Sequence, residues 1–111
     1  MRVKDDIKNR INDFANLCRS HKVKYLYAFG SSITDHFDSD SSDIDLIVEL
    51  DASDPIERGE FLIDLWDKFE LFFKRKVDLL TESSINNPVL RSNIDRTKIL
   101  IYEGKEQKVF I

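Results

Sequence analysis

The chain has 111 residues, 41% of them hydrophobic, with three Gly, two Pro and a net charge of −4 at neutral pH. That length holds one core and not two, and the low Gly and Pro content excludes a disordered or low-complexity chain. The acidic balance excludes a general attraction to nucleic acid or to an anionic membrane, and a single cysteine, Cys18, excludes an internal disulfide and a thiolate zinc site.

The first predicted element is a helix from about Lys4 to Ser20, in which Ile7, Ile11, Phe14 and Cys18 recur every three or four residues and place the thiol on the buried side. Before it, Met1 to Asp6 lacks the apolar stretch of a signal peptide, and no later run is long enough to span a bilayer, so a cytoplasmic location is expected. A strand from Lys24 to Phe29 follows and ends at Gly30-Ser31. The polar segment 32–42, anchored by Ile33 and Phe37, leads to Ser42-Asp43-Ile44-Asp45 and a second strand, Ile44 to Leu50. At the two-residue period of a strand, Asp43 and Asp45 leave one face while Ile44 and Leu46 enter the core.

Asp54-Pro55-Ile56-Glu57 is a helix start, with Asp54 as N-cap, Pro55 at the first helical position and Glu57 placed to close a capping box. The helix is expected to reach about Lys74. Its wide stripe of Phe61, Leu62, Leu65, Trp66, Phe69, Phe72 and Phe73 fits packing on a sheet, with Trp66 or Phe73 at the edge also able to meet a partner. Lys74-Arg75-Lys76 complements the C-terminal end of that helix. A third strand, Lys76 to Leu80, carries Asp78 between Val77 and Leu79. Ser83-Ser84 reads as turn chemistry, Asn87-Pro88 starts a short helix through about Arg96, and Lys98 to Tyr102 is a fourth strand closed by Glu103-Gly104. No repeat or linker divides residues 1–111, so one α/β domain is expected, with a mixed sheet of about four strands and helices mainly on one side.

With the second and third strands as neighbours, about 4.8 Å apart, Asp43, Asp45 and Asp78 converge on a site for two cations. Cations about 3.5 to 4 Å apart stabilise both the attacking and leaving oxygens of a phosphoryl or nucleotidyl transfer. Magnesium suits such a set because it prefers oxygen ligands and shares its shell with phosphates. Backbone N–H groups at a Gly-Ser turn can hold the phosphate tail. Asp38, Asp40, Ser42 and Glu49 match four positions of a calcium loop, but Asp43 stands where that loop requires glycine and Asp45 where it takes an apolar residue. Asp35, Asp38, Asp40 and His36 read as a solvated loop, and Ser31 has no partners for a Ser-His-Asp arrangement.

Gly30-Ser31, then Ser42-Asp43-Ile44-Asp45-Leu46, then Val77-Asp78-Leu79, resembles the nucleotidyltransferase superfamily of DNA polymerase beta and kanamycin nucleotidyltransferase. The short chain looks like the minimal, MNT-type branch, whose members often serve as antitoxins to HEPN-domain RNase toxins. Asn87-Pro88 through Leu90-Arg91, with Ile101-Tyr102-Glu103, extends the likeness to nearly the whole length. The resemblance implies a nucleotidyltransferase fold in which Asp43 and Asp45 hold the two magnesium ions. It further implies that Asp78 binds the catalytic metal and helps deprotonate the acceptor hydroxyl, while Gly30 and Ser31 grip the terminal phosphates. Such enzymes transfer a nucleoside monophosphate from an NTP; in the MNT and HEPN pairs it is AMP from ATP, moved to a tyrosine of the toxin. The segment after Ser31 departs from the pattern: eleven residues precede Asp43 where the family usually has about ten, and Ile33, Thr34 and Asp35 replace the usual small residue, Arg and Gly. A loop without that cation grips a triphosphate less strongly. Two alternatives follow, a non-catalytic module that neutralises a partner by covering it, and transfer to a small molecule such as an aminoglycoside, for which a homo-oligomer would complete the pocket.

Overall fold

The computed structural model describes residues 2–30 and 43–111; Ser31, Asp35, His36, Asp38, Asp40 and Ser42 lie outside the described residues. In chain order the elements are α1 (Arg2–Asn9), α2 (Ile11–Ser20), β1 (Val23–Phe29), β2 (Ile44–Leu50), α3 (Pro55–Phe73), β3 (Val77–Thr81), a 3₁₀ turn (Glu82–Ser84), α4 (Pro88–Thr97), β4 (Ile99–Glu103) and β5 (Lys108–Val109). The strands form a mixed sheet in the order β3-β2-β1-β4-β5, with β2 and β3 parallel and the other neighbours antiparallel. The sheet therefore has a fifth strand beyond the four expected. Two residues are too few to carry a readable alternation, and β5 exists because it pairs Tyr102 with Val109 and Glu103 with Lys108.

The single helix expected over Lys4 to Ser20 is two helices. Arg10 sits between them at φ −140° and ψ 51°, outside the helical region. Its guanidinium lies 4.0 Å from the centre of the Phe72 ring and donates to the Phe72 carbonyl, so a tertiary contact with the last turn of α3 sets the break. Val3 and Ile7 on α1 and Phe14 and Cys18 on α2 are fully buried, whereas Ile11, which a continuous helix would place on the same stripe, is 39% exposed.

Strand alternation divides the sheet into two faces. Leu26 and Ala28 of β1, Ile44, Leu46 and Val48 of β2, and Val77 and Leu79 of β3 meet residues of α1, α2 and α3 in the main core. The Phe14 ring lies 5.9 Å from Phe69 and 5.5 Å from Phe72, within the range of favourable aromatic pairs. Cys18 is buried as expected, and desolvation pushes its thiol far above the ordinary range, so it is an inert packing residue. On the other face Phe29 and Ile47 pack with Ile85 and with Ile94 of α4. Three helices thus cover one face and α4 part of the other.

Asp54 caps α3 by accepting from the Ile56 N–H at 3.1 Å, and Asn87 caps α4 by accepting from Val89 N–H at 2.9 Å. The box expected from Glu57 does not close that way, because its carboxylate accepts from Lys22 Nζ at 2.8 Å. At the end of α2, the His21 Nδ1–H donates to the Leu17 carbonyl at 2.8 Å and Nε2 lies 2.6 Å from Asp64 Oδ2 on α3. Ser20 Oγ is 3.1 Å from the same Nδ1, but a nitrogen that donates to a carbonyl has no lone pair for a serine proton. This group ties α2 to α3. Among the described residues, no helix is long and apolar enough to cross a membrane.

Candidate active site

Strands β1, β2 and β3 bring three chain segments together at one end of the sheet. Antiparallel pairing sets Phe29, the last residue of β1, opposite Asp45. Parallel pairing then sets Asp45 opposite Asp78. Ile44 faces Val77 and Leu46 faces Leu79 in the same register, and all four are buried. A slip of one residue would bury both carboxylates and expose those aliphatics, so the core itself holds the two aspartates in line. Asp43, just ahead of β2, and Asp78 are exposed, and Asp45 is half-buried. The three sequence-predicted carboxylates therefore gather at one place, on the side of the sheet away from the main core.

Their proximity has an electrostatic signature. Burial, followed by the charges of Asp78 and Asp43, pushes the Asp45 carboxyl up to about 6. Gly30 stands against the same group: its φ is +65°, and a Cβ there would lie 2.6 Å from Asp45 Oδ2. Any side chain at residue 30 would meet both left-handed strain and the carboxylate. The sequence signal for Gly30 was its place at the end of an apolar strand; its contact with Asp45 depends on the β1–β2 pairing. Ser31, the expected second phosphate ligand, lies outside the described residues.

Basic residues also reach this end of the sheet. Lys74 is the C-cap of α3 in the left-handed conformation, in keeping with the expected place of the Lys74-Arg75-Lys76 run at the helix end. The Ile44 N–H donates to the Lys76 carbonyl at 3.0 Å, so the end of the run lies beside the start of β2 and Asp43.

Among the described residues no three His, Cys, Asp or Glu side chains already have the spacing of a metal site. The donor chemistry nevertheless fits a hard divalent cation, since the available ligands are carboxylate oxygens whose mutual repulsion at Asp45 a cation relieves. A consequence is measurable without substrate. Because the folded-state value of Asp45 is raised from 3.8 to about 6, its contribution to stability is full below pH 4 and lost as pH rises through 6. With chelator present, the wild type is expected to lose about 1–2 kcal/mol relative to Asp45→Asn between pH 4 and pH 7.5, after discounting for solvent contact. Urea unfolding of both proteins at the two pH values checks this; parallel pH profiles would refute it.

A family model described as Polymerase beta, Nucleotidyltransferase matches residues 12–107. A Methanocaldococcus jannaschii relative named protein adenylyltransferase is 30% identical over 102 residues, covering 91% of this chain and all of the relative. Among solved structures, a toxin-antitoxin complex with AMP-PNP is similar at a TM-score of 0.57 and 25% identity, over 86% of this chain and 76% of that one. A Shewanella oneidensis tri-AMPylated HEPN toxin in complex with an MNT antitoxin shares the fold at a TM-score of 0.51 and 23% identity, over 96% and 76%. With a matched segment that runs from α2 to the approach of β5 and includes all three aspartates, the chain belongs to the polymerase beta nucleotidyltransferase family and is a nucleotidyltransferase.

Proposed function

We propose that this nucleotidyltransferase is a magnesium-dependent protein adenylyltransferase that moves AMP from ATP to a tyrosine hydroxyl of a HEPN-type toxin and thereby acts as its antitoxin. The observation that carries the reading is the pairing of Asp45 with Asp78 beside Gly30. Asp43 and Asp45 would hold magnesium with the triphosphate oxygens, and Asp78 would hold the catalytic ion and take the proton of the acceptor hydroxyl. Gly30, with no side chain, lets the Asp45 carboxylate stand against the turn, and the backbone of Gly30 and Ser31 would grip the phosphate tail. Bound magnesium would supply charge neutralisation at the phosphates. The acceptor oxygen forms a bond to the α-phosphorus, the bond from that phosphorus to the β-phosphate oxygen breaks, and pyrophosphate leaves. The relative's name supports protein as the acceptor, and the AMP-PNP complex supports an adenine nucleotide. The fold neighbour that holds an AMPylated HEPN toxin makes such a protein the acceptor to test.

The test is the intact mass of a HEPN-type partner encoded beside this chain, after incubation with ATP and magnesium. The expected result is a gain of one or more AMP groups that requires both the chain and magnesium. An unchanged partner mass, while the two proteins still co-purify, would overturn the reading.

A further inference from the structure

On α3, Ile56, Gly59, Ile63 and Trp66 recur at intervals of three, four and three residues, which places them along one side of the helix. That side is not the core side. Ile56 is 74% and Ile63 72% exposed, and Trp66 is 37% exposed. Trp66 Nε1–H donates to the Val77 carbonyl at 2.6 Å, and Glu70 accepts from the Val77 N–H at 2.9 Å, so the seam runs along the outer edge of β3 and ends one residue from Asp78. A shallow depression of about 540 Å³ lies over its C-terminal half, lined by Glu60, Ile63, Asp64, Trp66, Asp67 and Glu70, while Gly59 lines a neighbouring one with Pro55, Arg58 and Thr81.

Gly59 is the informative member. A glycine inside a helix is unfavourable relative to alanine. Here a Cβ would meet nothing within 4 Å, so no packing within the described chain requires its absence. Between two exposed isoleucines, a missing side chain permits the close approach of another backbone, as small residues do where helices cross.

We propose that this side of α3 docks an amphipathic helix of a partner protein, whose apolar side covers Ile56, Ile63 and Trp66 and whose flanking residues are Lys or Arg. Charge decides the occupant. Glu60, Asp67 and Glu70 line the depression beside Ile63 and Trp66, with Asp64 already engaged by His21 and Lys68, so a second copy of this chain would set acid against acid, whereas basic flanks complement that side. The proposal deepens the protein-acceptor reading and rests on it only for the partner's being the acceptor, since a helix docked here lies along the strand that carries Asp78.

The chain has one tryptophan, so Trp66 emission reports the seam directly. The probe is a synthetic amphipathic helix with leucines on one side and flanking lysines, titrated into the full chain without nucleotide, beside a twin with flanking glutamates. The lysine peptide is expected to give a saturable blue shift, weakened at least about tenfold by Gly59→Leu, with the melting temperature of that variant unchanged or raised. No saturable shift, an equal shift with the glutamate twin, an affinity that Gly59→Leu leaves untouched, or a shift that appears on concentrating the chain alone would each overturn it. Because the assay needs no turnover, its failure is distinct from a failure of AMP transfer.

Discussion

Replacing Asp43 and Asp45 together by asparagine is expected to lower AMP transfer at least about a thousandfold, a barrier increase of about 4 kcal/mol, while partner binding persists. The substitution keeps shape and removes charge, so what is lost is the capacity to hold cations against the triphosphate. The fold is expected to survive with an equal or higher melting temperature, because the half-buried Asp45 carboxylate is repelled by Asp78 and its conversion to a neutral amide relieves that repulsion. Transfer measured by partner mass, binding measured separately and melting measured in chelator form the test. If neutralisation of the toxin and binding both persist without transfer, the chain acts by covering its partner, and the atypical segment between Ser31 and Asp43 becomes the natural explanation.

Phe14→Ala is expected to destabilise the chain by about 3–5 kcal/mol, whereas Ile11→Ala costs less than about 1 kcal/mol. Phe14 is fully buried and its ring meets those of Phe69, Phe72 and Phe73, so truncation removes contacts from three residues of α3 at once. Against a typical total of about 5–15 kcal/mol, such a loss brings a small domain close to its limit. Ile11 lies just after the break at Arg10 and is largely out of the core. Urea unfolding of both variants decides the point: equal losses would mean that α1 and α2 form one continuous helix with Ile11 on its buried stripe.

Local chemistry was most legible where an element satisfies its own backbone groups. Asp54-Pro55 and Asn87-Pro88 announce α3 and α4 because cap and first helical position are adjacent in the chain, and the structure has both caps. Glu57 departs from the expected box for the converse reason: a residue 35 positions away, Lys22, competes for its carboxylate. The break at Arg10 was likewise illegible, since it depends on the Phe72 ring and carbonyl, which no helical period reports.

That Asp43, Asp45 and Asp78 leave the core follows from the order of residues alone, because alternation is a property of each strand taken singly. The order of Gly-Ser, Asp-x-Asp and a later strand Asp also sufficed to suggest the family that the matched residues 12–107 establish. Which positions meet depends on how the strands pair. The parallel register sets Asp45 against Asp78, and the antiparallel register brings Gly30 so close to Asp45 that a methyl group would collide with its carboxylate. Registers are set by pairs such as Ile44 with Val77, whose burial involves α2 and α3 as well as the strands. That shared burial is a property of the assembled core, and no window of sequence contains it.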